Sequence, residues 1–322
     1  MTASEADPRG RARAGRVRFA TFNVLHGRPM REGRPVALPP GCGPDVPLVR
    51  AVASLDADVL ALQELDRLQE RSGRVDQARA AAEGAGAPYW RYASAFTTGP
   101  APAGGQTPEP HERALRVYGP GRTGAGAGAG ADDGVPSHGI ALLSRLPVRH
   151  WRARRLAPAP VPMPLRTPGR RGLTVSWDQP RAALAAVLEG SRGPFTVVAL
   201  HLSFVPGWNV RQLLDVRAWT ADLPGPRLLL GDLNLTGVLP RAVLNSPARK
   251  GRTELRRTPD ASPGLSRAWH DLARTPTYPA HRPFVQFDHV LANGIAPDAA
   301  TGVATPPTEV SDHRPLVLEL PL

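Results

Sequence analysis

The chain has 322 residues, 37 of them proline and 32 glycine, with a formal net charge of +12 and a pI near 11.2. Its one cysteine, Cys42, excludes an intrachain disulfide and any metal site built from several cysteines. No run reaches the roughly 18 apolar residues of a membrane span, and the Arg-rich start lacks the apolar stretch of a secretory signal. The expectation is a cytoplasmic monomer. Every basic residue except Lys250 is arginine, and the arginines are scattered. That balance favours polyanionic partners electrostatically without outlining a nucleic-acid footprint.

Residues 1–15 read as a disordered lead-in, and residues 16–322 as a single domain. Val17–Phe22 is an apolar strand ending in Asn23, and residues 29–46, rich in Pro and Gly, are loop. Pro47 opens a helix at its favoured first-turn position. Val59–Leu62 is a buried strand terminating in Gln63-Glu64. Strand, helix, strand, with a polar residue at each strand end, describes a sheet presenting side chains along one edge. A helix over Asp76–Glu83 and a strand over Tyr89–Phe96 follow. Residues 97–137 lose periodicity and include Gly124–Gly130, a Gly/Ala tract that reads as a loop insertion.

His138–Arg145 resumes the sheet, and Val148–Val175 is a basic, Pro-rich edge strand and connection. Arg181–Leu188 and Phe195–Leu200 form a strand pair whose second member ends in His201. Asn209–Thr220 is a helix with Val210, Leu213, Leu214 and Trp219 on its buried side. Leu228–Leu230 is a short buried strand that delivers Asp232 and Asn234, two residues apart, onto its C-terminal lip. Residues 245–283 read as mostly irregular. Gln286–Leu291 carries Asp288-His289, and Arg314–Leu320 is a last strand preceded by Ser311-Asp312-His313.

A lone histidine or aspartate usually satisfies its own neighbourhood. Here Asn23, Glu64, His201, Asp232, Asn234, Asp288, Asp312 and His313 all sit at strand ends. The ordered segments Phe22-Asn23, Gln63-Glu64, His138–Ser144, His201-Leu202-Ser203, Gly231–Asn234, Asp288-His289 and Ser311–Pro315 resemble the endonuclease/exonuclease/phosphatase superfamily of deoxyribonuclease I-like phosphoesterases. The resemblance spans about residues 17 to 320. It implies a four-layer α/β/β/α sandwich of two packed mixed sheets. It also implies hydrolysis of a phosphodiester with Mg²⁺, or Mn²⁺ in its place, held by Glu64 with Asn23 and Asp312 in or beside its shell.

By the same resemblance Asp232 activates the attacking water and Asn234 steadies the phosphoryl oxygens. Asp288 orients His313, which acts on the phosphate, and His201 protonates the leaving group. Arg71 and Arg181 are candidates to meet phosphate, although arginines in such places more often serve structure. Nucleic acid, a phospholipid and an inositol-type phosphate ester all remain open as substrate, as does a silent binding protein on the same fold. A lipid substrate favours an exposed apolar β-hairpin, which the sequence does not show. A nucleic acid favours aromatics among basic residues, and Trp208 and the Arg249–Arg257 run are the candidates.

Overall fold

The computed structural model describes residues 15–100, 106–108, 115–120, 134–165, 172–247 and 268–322. The lead-in (residues 1–14), the Gly/Ala tract and most of the expected insertion, and the Arg249–Arg257 run lie outside the described residues.

Two sheets dominate. The strands of the first are β1 (Val17–Asn23), β2 (Val59–Arg67), β3 (Tyr89–Pro100), β4 (Gln106–Pro108), β5 (Arg116–Tyr118) and β6 (Ser137–Ser144). Those of the second are β7 (Val148–Leu156), β8 (Arg181–Gly190), β9 (Gly193–His201), β10 (Arg227–Asp232), β11 (Trp269–Asp271) and β12 (Asp288–Asn293). The chain then returns to the first sheet with β13 (Thr301–Ala304) and β14 (Leu316–Leu320). The first sheet runs in the order β13-β14-β1-β2-β6-β3-β4, with β5 beside β3, and the second runs β11-β12-β10-β9-β8-β7.

Helices α1 (Val46–Leu55) and α2 (Gln77–Ala85) cover the first sheet, and α3 (Trp208–Trp219) and α4 (Leu239–Asn245) cover the second. Pro in the first turn starts α1, and the Asp76 side chain caps α2 by accepting from the Arg79 N–H. No helix among the described residues is long and apolar enough to cross a membrane.

Three separate apolar cores show the four layers. Between the sheets, Phe19, Val59, Leu142 and Leu318 meet Leu184, Phe195, Leu228 and Val290. The Phe19 and Phe195 rings pack edge to face, 6.1 Å apart. The outer face of the first sheet buries Ala20, Phe22 and Leu62 against Leu48, Val52 and Ala81 of its helices. The second buries Leu200, Leu229 and Leu291 against Leu213, Val216 and Leu244. Central strands are therefore covered on both faces, which is why they read as continuous apolar runs. Burying one such Phe or Leu side chain contributes about 1.5–3 kcal/mol.

Each sheet holds one parallel pair joined across a helix, β1–α1–β2 in the first and β9–α3–β10 in the second. Asn23, His201 and Asp232 emerge at the C-terminal ends of three of these strands, and Glu64 at a register shift within β2. In the second sheet the register sets Leu200 beside Gly231 and His201 beside Asp232. Gly231 makes that register possible, because a Cβ there would stand 2.0 Å from the Leu200 carbonyl oxygen. The obstacle is backbone and cannot rotate away. Gly231→Ala is accordingly expected to lose about 1–3 kcal/mol in urea denaturation, and an unchanged midpoint would contradict this packing.

Four expectations are corrected. β2 does not stop at Glu64 but continues to Arg67 past a register shift between Leu62 and Leu65. Residues 29–46 contain a small hairpin pairing Met30–Arg31 with Arg34–Pro35. The region from 245 contributes the end of α4 and strand β11. The buried face of α3 carries Asn209 and Gln212 beside Leu213 and Val216, while Val210, Leu214 and Trp219 are only partly buried. The polar pair is buried because it has backbone partners. Asn209 Nδ2 donates to the Asn234 carbonyl, and Gln212 accepts from the Ser203 N–H and donates to the Ala157 carbonyl.

An exposed apolar hairpin is also present, against expectation. Met163–Leu165 pairs with Thr174–Ser176, and along the second strand Leu173, Val175 and Trp177 alternate onto the solvent side, with Trp177 65% exposed. Thr174 and Ser176 are the more covered residues. This is the inverse of ordinary strand patterning.

Candidate active site

At the β2 register shift, Gln63 and Glu64 are pressed into opposite roles. Gln63 is fully buried and exchanges hydrogen bonds with the Thr21 hydroxyl. Glu64 adopts φ +58°, a left-handed conformation unusual for a glutamate, and turns its carboxylate to the rim of the sheet. There Asn23 Nδ2 donates both to Glu64 Oε1 at 3.1 Å and to Asp232 Oδ2 at 3.0 Å. One amide thus joins an acid from each sheet. Asn23 was expected to offer oxygen to a metal. Its Oδ1 instead accepts from the Leu25 N–H, because two carboxylates draw the NH₂ end toward themselves.

Asp232 Oδ1 accepts from the Asn234 N–H at 3.0 Å, a turn for which Asn234 takes φ +48°. The Asn234 side chain donates to the Leu202 carbonyl, leaving its second N–H free of that bond. His201 Nε2 lies 3.7 Å from Asp232 Oδ2 and 4.0 Å from Glu64 Oε1, and His313 Nε2 lies 3.9 Å from Asp232 Oδ2. Behind His313, its Nδ1 meets Asp288 Oδ2 at 2.8 Å, and the same oxygen accepts from the Thr277 hydroxyl at 2.6 Å. Tyr278 and Phe287 pack on the His313 ring. Ser311 ties this loop to β1 by donating to the Asn23 carbonyl, while its hydroxyl accepts from the His313 N–H.

Charge follows from this packing. Burial alone would lower the His313 pKa, but the Asp288 charge and hydrogen bond, with Asp232 and Asp312, push it up to about 10. His313 is a cation at neutral pH. Burial, with Asp288 nearby, raises Asp232 to about 6 against the pull of His313 and Asn23. Burial would raise Glu64 too, but His138, the Asn23 hydrogen bond, Arg181 and His313 outweigh it, and Glu64 is held below its usual value. Asp312 is raised by burial and by the charges of Glu64 and Asp288.

His201, expected to protonate the leaving group, is shifted in the opposite direction from His313. Burial, then Arg181, His138 and His313, drive its pKa well below 6.5. Arg181 Nη1 lies 3.1 Å from both ring nitrogens. With Arg181 donating to Nδ1, the neutral ring carries its proton on Nε2, facing the two carboxylates, an assignment made from these neighbours.

The oxygen-rich donor set suits a hard divalent cation. Glu64 and Asp312 are like-charged and close enough to perturb one another, a repulsion a cation relieves, and Asp288 Oδ1 is buried with no hydrogen-bond partner. Asp232, Asp288 and His313 also bring ligand atoms within 4.8 Å of one another. In that trio, however, Asp288 Oδ2 already serves His313 and Thr277, and a protonated imidazole repels a metal.

Other motif residues are held by contacts within the fold. His289 is buried between Asp271 Oδ2 and the Leu235 carbonyl, fixing the loop after β10. Trp208 donates to the Ala157 carbonyl and lies under the Arg211 guanidinium. Arg71 forks onto Asp66 with two bonds of 2.7 Å, and His138 Nδ1 meets the same carboxylate at 2.8 Å. Thr277 and Tyr278 carry no sequence signal, since they come from an irregular stretch, and Phe287 reads only as a strand residue. His138 opens the His138–Ser144 segment, and its contact with Asp66 is visible only in the fold.

The sequence profile described as "Endonuclease/Exonuclease/phosphatase family" matches residues 20–313. No curated protein shows a significant sequence match. Among solved structures, a functionally unknown conserved protein from Enterococcus faecalis V583 aligns at TM-score 0.52 and 14% identity, covering 94% of this chain and 98% of that one. A family protein from Leptotrichia buccalis C-1013-b aligns at TM-score 0.51 and 12% identity, over 94% and 99%. A further family member, from Beutenbergia cavernae DSM 12333, has 18% identity and TM-score 0.47, covering 95% of this chain and 71% of that one. The chain, a four-layer sandwich of two mixed sheets, belongs to the endonuclease/exonuclease/phosphatase family, whose members are typically phosphoesterases and generally depend on a divalent metal.

Proposed function

We propose that the protein hydrolyses a phosphodiester by water attack, with Mg²⁺ as its metal and Mn²⁺ able to replace it. The observation that carries this reading is the Asn23 amide bridging Glu64 and Asp232, with two imidazole Nε2 atoms within 4 Å of the same Asp232 oxygen. Glu64, with Asp312 beside it, would hold the cation, which would supply charge neutralisation for the phosphate and Lewis acidity.

The chain's own groups do the rest. Asp232 is ionised at neutral pH and accepts the proton of the attacking water. Asn23 and the Asn234 N–H hold its two oxygens in place. His313, charged and locked through Asp288, donates from Nε2 to a phosphoryl oxygen as negative charge builds there. Neutral His201 offers its Nε2 proton as a hydrogen bond, and Asn234 its free N–H.

A second reading, a phospholipid phosphodiesterase, is favoured by the exposed hairpin bearing Leu173, Val175 and Trp177, whose apolar face suits a lipid surface. On the nucleic-acid side, Phe284 is 74% exposed in the loop between Tyr278 and Phe287 and offers a stacking surface.

One experiment tests these readings together. Hydrolysis of bis-(p-nitrophenyl) phosphate, plasmid DNA and phosphatidylcholine vesicles is measured with EDTA, Mg²⁺ and Mn²⁺, alongside melting temperature. Metal-dependent turnover is expected, with a metal-induced rise in melting temperature that Glu64→Gln removes. Trp177→Ser lowering turnover on vesicles alone selects the lipid reading. No turnover on any substrate, with no effect of metal on melting, would defeat the proposal.

A further inference from the structure

Arg181 opens β8 where the rims of the two sheets meet. Its side chain is only 11% exposed. Among the described residues its nearest carboxylate oxygen is Asp178 Oδ1, 4.0 Å from Nη2, and its Nε is buried with no hydrogen-bond partner. Asp178 Oδ2 accepts from the Ala159 N–H at 2.8 Å and from the Ser203 hydroxyl at 2.7 Å, while Oδ1, the oxygen facing Arg181, is buried and too far away for a hydrogen bond. The closest contact of the guanidinium is therefore a neutral imidazole, that of His201. A buried cation served by one stretched ion pair leaves much of its desolvation cost without compensation. The arrangement calls for an anion.

The space in front of Arg181 is of the right size and place. Phe96, His138 and Ile140 from the first sheet and Arg181 and His201 from the second line a cleft with room for about one water-sized group. His138 is steadied there, its ring against Phe96 at 5.4 Å and its Nδ1 on Asp66. From Arg181 the path runs through His201 Nε2 to Asp232 Oδ2 and Glu64 Oε1. Apolar walls on one side and donors on the other give a hydrogen bond made here more strength than one made in open water.

We infer that this cleft is an anion subsite, in which Arg181 takes one non-bridging oxygen of the substrate phosphate. The inference rests on the phosphoesterase reading for its substrate but not for its test. Arg181 then adds a second cation to that of His313, so that charges carried by different sheets orient one tetrahedral group. Its contact with the His201 ring, 3.1 Å from either nitrogen, ties the grip to the ring beside it.

The test is binding of inorganic phosphate to the metal-free protein, measured by calorimetry and by the shift of the His201 ring resonances. Arg181→Gln is expected to weaken binding roughly tenfold to a hundredfold, the value of one charge-assisted hydrogen bond or slightly more. Arg181→Lys should fall between, keeping the charge but losing the planar fork. Glu64→Gln should bind phosphate at least as tightly as the wild type while failing in hydrolysis.

Equal phosphate affinity in wild type and a folded Arg181→Gln would overturn the subsite, even if hydrolysis were established. Arg181-dependent binding in a protein that hydrolyses no phosphate ester would sustain the subsite and remove the catalytic reading. Should Arg181→Gln fail to fold, the wild-type titration decides, because His201 resonances that do not move with phosphate rule the site out.

Discussion

Replacing Asp232 by asparagine is expected to lower kcat by about 10²–10⁴-fold, the range for loss of a positioned general base. The substitution nearly preserves shape. The new side chain can still accept from the Asn234 N–H, and β10 keeps its pairing with β9 and β12. What disappears is the charge and the proton-accepting oxygen. Because Asp232 titrates near 6 in the folded chain, wild-type turnover should fall on acidification through that value, while the residual rate of Asp232→Asn should be flat there. A wild-type rate with no acid limb, or a variant within threefold of wild type, would place the base elsewhere. His313 should respond as well, since Asp232 is one of the charges that keep it protonated.

Asp288→Asn acts at one remove and should cost about 10²–10³ in kcat, the usual loss when a transition-state donor is disabled. Asp288 is wholly buried, and its charge and hydrogen bond are the main reasons that His313 is protonated up to about pH 10. Without that charge, burial acts unopposed by its chief counterweight, and the His313 pKa falls. The alkaline limb of the pH–rate profile should therefore move down from about 10.

The sign for stability follows from the same linkage. A histidine whose folded pKa is raised contributes stability that is fully present below its unfolded value of about 6.5. That contribution disappears as pH climbs through about 10. The variant should lack it, so the stability gap between wild type and Asp288→Asn should close as pH rises. Histidine NMR titration reads the pKa directly, and a His313 that still titrates near 10 in Asp288→Asn would refute the account.

How much of this was legible in the sequence depends on what each residue answers to. Leu228–Leu230 and Val59–Leu62 were readable because strands covered on both faces must be apolar throughout. Asp232 and His201 could be placed because they follow such runs directly. The Gln63-Glu64 pair was visible as a motif, but not as a register shift. No residue type announces a glutamate at positive φ, since the fold imposes that conformation through Gln63's hold on Thr21.

The α3 face was misread for a related reason. Apolar spacing was counted, whereas Asn209 and Gln212 are buried by hydrogen bonds to loops that only the tertiary structure brings near. Arg181 reads as an ordinary strand-head arginine, because burial of a strand's first residue is not encoded locally. The exposed hairpin escaped because its solvent-facing residues are the apolar ones, against the rule used to find strands.

The Ser311 hydroxyl bound to the Asn23 carbonyl, and the β1–β14 pairing of Val17 with Leu320, join parts of the chain about 300 residues apart. Contacts so distant in sequence form late and slowly, after most of the chain has collapsed. During synthesis on a ribosome, Glu64 and Asp232 would both be made well before His313, and β1 would wait for β14 to arrive beside it. The rim that gathers Asn23, Asp232 and His313 is thereby assembled only once β14 has docked beside β1.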